Sequence, residues 1–199
     1  MRWIILAILA SCTSMQAAEA RAPGLEHSEA RSLLDGGAPS LAPFAHVRFC
    51  KVNPEQCRSD GGAARLTLNR QTLATIRSVN MQVNRSIRPV NDRNTPLGDV
   101  WTLSPRQGDC DDFAVTKRQA LIRAGFSAAA LRLLVATTSW GEGHAVLVVA
   151  TNGGDLVLDN MTDRVRSLAE TGLRPIKVQS SADPRRWLAV GQQAVASRN

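Results

Sequence analysis

Cys110 stands in Gly108-Asp109-Cys110-Asp111-Asp112-Phe113-Ala114, where a stretch rich in proline and glycine gives way to a helical pattern. A thiol attacks carbonyl carbon as its thiolate. A helix start favours that form, through its partial positive charge and its unsatisfied backbone N–H groups. The same N–H groups can hold an oxyanion on a substrate. Asp109, Asp111 and Asp112 act against the thiolate, because nearby negative charge raises a thiol's pKa. A protonated histidine or a bound cation would offset them.

The histidine is supplied by His144, first in the apolar run His144-Ala145-Val146-Leu147-Val148-Val149-Ala150-Thr151 and preceded by Gly141-Glu142-Gly143. A second run, Asp155-Leu156-Val157-Leu158-Asp159-Asn160, follows across Asn152-Gly153, a dipeptide that closes two-residue hairpins. A two-residue turn pairs Thr151 with Gly154, so Val146 falls opposite Asp159 and His144 opposite Met161. His144 and Asp159 then share a side of the sheet one diagonal step apart, roughly 7–8 Å along the backbone and within side-chain reach. Cys110 as nucleophile, His144 as general base and Asp159 as the group orienting the imidazole would make a catalytic triad. His27 and His46 lie in or near a loose segment and receive no role, which leaves His144 as the histidine of the folded core.

The elements that must hold these residues follow from periodicity. Leu66, Leu73, Ile76, Val83 and Ile87 recur mostly at three- and four-residue steps, which gives an amphipathic helix over 66–87, ended by Pro89. Pro89, Pro96, Gly98, Pro105 and Gly108 make 88–108 a long irregular loop, a length that often carries function. Phe113, Ala114, Lys117, Ala120, Leu121 and Ala124 share one face of a second helix over 110–124, with Gly125 suited to its C-terminal cap. Leu131 to Thr137 is a further apolar run, and Val165, Ile176 and Val178 suggest one or two more strands. Helices followed by strands make an α+β fold with an antiparallel sheet.

At the N-terminus, Arg2, the apolar run 3–10 and Ala18-Glu19-Ala20 have the anatomy of a secretory signal peptide over 1–20. The apolar run is too short for a membrane span, which needs roughly 20 residues. An alternative is lipoprotein processing at Leu9-Ala10-Ser11-Cys12, with Cys12 as a lipid anchor. Residues 21–45, rich in Ala, Gly, Pro and Ser, read as a loose segment before a single domain over 46–199. Export to an oxidising compartment leaves three of the four cysteines in the mature chain, an odd number. Cys50 and Cys57 flank an Asn53-Pro54 turn signal and fit a disulfide worth roughly 2–3 kcal/mol; a shared metal is the other reading. Cys110 is then the thiol left over. The formal net charge is +7, but the basic residues form no run, and the charge alone does not point to nucleic acid.

Trp101, the Gly108 to Ala114 motif with Lys117-Arg118, Gly143-His144-Ala145-Val146-Leu147 and Val157-Leu158-Asp159-Asn160, in that order, resemble the bacterial transglutaminase-like cysteine proteinase family. The resemblance runs from about Phe49 to Trp187. It implies a papain-like, transglutaminase-core fold with the nucleophile at a helix N-terminus packed on an antiparallel β-sheet, and a Cys-His-Asp triad on Cys110, His144 and Asp159. It implies a protein or peptide substrate, no organic cofactor, and a periplasmic enzyme. In a calcium-dependent member of the family, acidic residues flanking the catalytic cysteine bind the ion; Asp109 and Asp111 stand at those positions, Asp111 where many members have the longer Glu. Calcium is a natural ligand for such oxygens. The same triad would serve an acyl or amide transferase, and the same fold a non-catalytic binding module.

Overall fold

The computed structural model describes residue 34 and residues 37–91 and 98–190. The expected signal peptide, Cys12, His27 and most of the loose segment lie outside the described residues. Among the described residues, no helix is long and apolar enough to cross a membrane.

The core is one seven-stranded antiparallel sheet in the order β1-β9-β8-β4-β5-β6-β7. These strands are β1 (Pro39–Ser40), β4 (Leu131–Thr137), β5 (Gly143–Thr151), β6 (Gly154–Leu158), β7 (Arg166–Ser167), β8 (Arg174–Gln179) and β9 (Trp187–Ala189). β4 is the central strand with β5 beside it, and the alternate residues of β5 feed two cores. Leu147 and Val149, with Leu131, Leu133 and Leu158, meet the helices. Val146 and Val148, with Leu134, Ala136, Val157 and Val178, form a second cluster that includes Leu34 and Leu168. Strands buried on both faces read as near-continuous apolar runs, as β4 and β5 do.

The β5–β6 hairpin has the expected register, from Thr151 opposite Gly154 to Leu147 opposite Leu158. Its positive φ falls on Gly154, at +109°. Val165, Ile176 and Val178 do sit at or in β7 and β8. β1 and β9 were not foreseen: they are two and three residues long and carry no usable alternation. β1 also brings part of the expected loose segment into the sheet.

Three helices flank the sheet: α1 (Phe44–Val52), α2 (Arg70–Ser86) and α3 (Cys110–Arg123). α2 starts four residues later than its apolar spacing suggested. Asn69 takes the N-cap, its side chain accepting from Thr72 N at 2.8 Å, which fixes the start there. Leu66 instead bridges to the hairpin, donating to Ala150 O at 2.9 Å and accepting from Asn152 N at 3.0 Å. The expected loop is pinned at both ends. β2 (Arg88–Pro89) and β3 (Gln107–Gly108) pair in parallel, and Val90 N donates to Gly108 O at 2.8 Å. α3 is wrapped on all sides, with every residue from Asp111 to Gln119 buried. Gly125 takes the left-handed conformation at its end, as expected, while Ala124 is exposed rather than on the core face.

Cys50 and Cys57 are joined by a disulfide, which closes α1 onto the short turn Pro54–Cys57 and uses both sulfurs that a metal would need. Asn53 shapes the join: its backbone N and its Nδ2 both donate to Phe49 O.

His46 corrects the expectation that His144 is the only core histidine. It is 1% exposed, among Phe49, Trp101 and Trp187. Trp187 Nε1, a donor only, points at His46 Nδ1 at 3.2 Å, while the other ring nitrogen, Nε2, lies 3.3 Å from Gln179 Nε2 and 3.5 Å from Cys50 Sγ. Burial, and then the charge of Arg118, lower its pKa to about 4. Below pH 6.5 the unfolded chain therefore takes up a proton that folded His46 refuses until about pH 4, so stability falls with acid across that window. At roughly 1.4 kcal/mol per unit, the loss is about 3 kcal/mol. Denaturant unfolding at pH 7 and pH 4.5 should show this slope in the wild type and a flatter one in His46→Gln; equal slopes would contradict it.

Candidate active site

Gly108 and the first turn of α3 set the position of Cys110. Asp109 is the N-cap and forms a reciprocal capping box with Asp112. Asp112 Oδ2 accepts from Asp109 N at 3.1 Å, and its Oδ1 accepts from Thr102 N at 2.6 Å. One carboxylate thus ties the helix start to itself and to the returning loop beside Trp101. It reaches there because residue 108 has no side chain: a Cβ on Gly108 would lie 2.0 Å from Asp112 Oδ2.

His144 and Asp159 meet as the hairpin register requires. His144 Nε2 and Asp159 Oδ1 are 2.9 Å apart, with both side chains almost wholly buried. Asp159 Oδ1 also accepts from Met161 N at 3.0 Å, and the Asp159 carbonyl accepts from Asn84 Nδ2 at 3.1 Å. Burial pushes the Asp159 pKa up, but the bond to His144, the Met161 N–H and the charges of His144 and Lys117 together bring it below the ordinary carboxylate value. Asp159 is therefore ionised at neutral pH. Because Nε2 is taken by Asp159, Nδ1 is the imidazole nitrogen left for a reacting partner.

Cys110 is half-buried and outside any disulfide. It shares an open cleft of about 310 Å³ with His144, Asp109, Asn91, Glu142, Gly143, Asn160 and Met161. The turn before β5 is held firmly over one rim: Thr138 N donates to Glu142 O at 2.8 Å, and Glu142 N to Thr138 Oγ1 at 3.1 Å. Trp140 Nε1 donates to Glu142 Oε2 at 2.9 Å, on an indole that is largely exposed.

The four residues 109–112 divide their tasks. Asp112 is spent on backbone. Asp109 Oδ1 and Asp111 Oδ1 are buried and have no hydrogen-bond partner among the described residues. Ligand atoms of Asp109, Cys110 and Asp111 lie within 4.8 Å of one another. Two oxygens that far apart can both reach one calcium ion, whose oxygen ligands sit at 2.3–2.6 Å. Asp111 is pushed up to about 11, first by burial and then by Asp109, with Asp99 and Asp112 adding their charge. So dense a group of carboxylates needs a proton or a cation, and the donor set suits a hard divalent ion.

The family model of the bacterial transglutaminase-like cysteine proteinases matches residues 37–195. The chain belongs to that family. It is therefore a transglutaminase-like cysteine peptidase, and Cys110 is the cysteine of this cleft. Among solved structures it is similar to LapG of Legionella pneumophila. The EGTA-treated form is 22% identical over 61% of this chain and 69% of that one, with a TM-score of 0.52. The calcium-bound form is 20% identical over 74% and 81%, with a TM-score of 0.51. Both likenesses are likenesses of fold. No curated protein matches the chain in sequence.

Several residues of the site were not legible beforehand. Asn91 comes to the cleft from the distant segment after β2, while Glu142, Asn160 and Met161 arrive with their chain neighbours His144 and Asp159. Asn84 had a signal, since Asn80 and Asn84 are polar residues on the inward side of an amphipathic helix. Gly108→Ala should displace Asp112, unfasten the helix start and cost on the order of 1–3 kcal/mol. Thermal unfolding of that variant, with the rate of Cys110 alkylation, checks both effects; a variant matching the wild type in both would remove the role given to Gly108.

Proposed function

We propose that the protein is an exported peptidase that hydrolyses peptide bonds through Cys110, His144 and Asp159. The observation that carries this reading is the 2.9 Å contact of His144 with a buried, ionised Asp159, on the cleft that also holds Cys110. Asp159 keeps Nε2 protonated and turns Nδ1 toward the cleft. Nδ1 takes the thiol proton, and the thiolate attacks the substrate carbonyl carbon. The imidazolium then gives that proton to the departing amine, leaving a thioester on Cys110. Water, deprotonated by the same nitrogen, attacks the thioester and releases the acid and the thiol. Backbone N–H groups at the start of α3 are the natural donors to the oxyanion. The N-terminal signal anatomy and the Cys50–Cys57 disulfide support action in the periplasm, on a protein or peptide substrate.

Asp109 and Asp111 are the residues that would hold calcium. The bound ion would neutralise the carboxylates around Cys110 and stiffen the turn that carries it. At a hundredfold excess over Kd, calcium should add about 2.7 kcal/mol, several degrees in thermal midpoint for a chain of this size. Asp111→Asn should lose that shift. A midpoint indifferent to calcium and EGTA would remove the metal from the reading.

Cys110 should react with iodoacetamide at neutral pH faster than free cysteine. Cys110→Ala should abolish hydrolysis, and cells carrying it should accumulate uncleaved periplasmic or surface proteins by quantitative proteomics. Full activity of Cys110→Ala would end the proposal. Incorporation of a labelled primary amine in place of water would move the chemistry to acyl transfer.

A further inference from the structure

Lys117 is a buried cation that the reaction above does not use. It lies seven residues after Cys110 on α3, the same face two turns further in. Its side chain is 0% exposed, and Nζ has no hydrogen-bond partner among the described residues. The nearest aromatic support is the ring of Phe113, 5.8 Å from Nζ. An unpaired ammonium in a protein core costs several kcal/mol, so this residue lowers stability where methionine or leucine would raise it. The other buried cations are held by backbone carbonyls, although Arg118 Nη2 is itself without a partner among the described residues. Arg118 donates to Leu131 O and Gln56 O, and Arg132 to Gln179 O and Leu34 O.

The charges that act on Lys117 are Asp159 and Asp163; burial lowers its pKa to about 7, and these two raise it. Asp163 is exposed and already served by Arg85 and by Asn84 Nδ2. Asp159 is buried, and Lys117 in turn lowers the Asp159 pKa. The chain segment holding both acids is clamped to α2. Asn80 Nδ2 donates to Thr162 O, and Asn84 Nδ2 to Asp159 O and Thr162 O. The amide oxygens of both asparagines are buried without partners, on the helix that packs against α3. Buried lysine and clamped loop together serve one carboxylate.

We propose that Lys117 is a positioning residue for the Asp159–His144 pair, a buried countercharge that keeps Asp159 ionised and aimed at His144 Nε2. This rests on the peptidase reading, in which that pair activates Cys110. Loss of the ammonium lets Asp159 protonate or turn, and the imidazole loses the partner that fixes its tautomer.

The test is the rate of Cys110 alkylation by iodoacetamide at neutral pH, with calcium present, alongside thermal unfolding. Lys117→Met should have a midpoint equal to or above the wild type and an alkylation rate at least roughly tenfold lower, the equivalent of one pKa unit. In Lys117→Ala, ethylammonium chloride should restore part of the rate, and ethanol, of similar size and uncharged, should not. A Lys117→Met protein alkylated at the wild-type rate overturns the proposal. So does a fall in midpoint with no rescue of Lys117→Ala by ethylammonium, which would make the lysine structural only. A wild-type protein no more reactive than free cysteine would instead overturn the peptidase reading.

Discussion

Asp112 folds back on its own helix start, and the site depends on that bond pair. Helix starts leave backbone N–H groups without partners, and a nucleophile placed there must share the turn with whatever satisfies them. Here a single carboxylate closes the capping box and holds the backbone of Thr102, while Gly108 makes room for it. The turn can then present Cys110 to the cleft without spending the cysteine on structure. The cost is charge. With Asp112 committed to the backbone, Asp109 and Asp111 each keep one buried oxygen, Oδ1, without a donor, on either side of Cys110. In the function proposed above, a cation held by Asp109 and Asp111 would answer that electrostatic problem, and His144 lines the same cleft as Cys110.

The opposite wall is solved differently. His144 lies on β5 and Asp159 directly follows β6, whose register with β5 is fixed by a two-residue turn, so their meeting follows from pairing that the sheet enforces. The β4–β5 ladder runs from Leu131 opposite Val149 to Thr137 opposite Gly143 and places His144 beside Ala136, which is fully buried. A slip of one residue would exchange the β5 side chains between the two cores and carry His144 to the other face of the sheet, away from Asp159, so their contact is as stable as the sheet. Asn84 then fastens the exit from β6 to α2. Cys110 is thus held by local capping and His144 by long-range pairing.

The sheet side of the site was readable because its period is short and its turn signal explicit. Cys110 stood out because it follows Gly-Asp at the start of a helical pattern, and the structure places it first in α3, on the cleft that His144 also lines. The failures share a cause. His46 looked peripheral because α1 is short and its inward positions, Ala45, His46 and Phe49, mix a polar residue with apolar ones. Only the distant Trp101, Trp187 and Gln179 make that position a core. α2 was extended to Leu66 because apolar spacing cannot tell a helical turn from a bridge to another strand. Lys117 fitted the helical face, and nothing local distinguished a buried ammonium from a solvated one.

The pairing of Cys50 with Cys57 bears on reactivity as well as on stability. Both sulfurs come from one short segment bent by Asn53-Pro54, in which the bond closes α1 onto the turn that follows it. Cys110 then has no free thiol to exchange with among the described residues. His46, kept neutral by burial, has Trp187 on Nδ1 and Gln179 and Cys50 beside Nε2, so neither ring nitrogen opens to solvent. The chain therefore holds two cysteine–histidine neighbourhoods with opposite chemistry. One is dry, aromatic and disulfide-bonded, with a histidine held neutral. The other opens to solvent beside carboxylates, with a histidine whose partner is an ionised aspartate. Environment, rather than residue type, separates the inert pair from the reactive one.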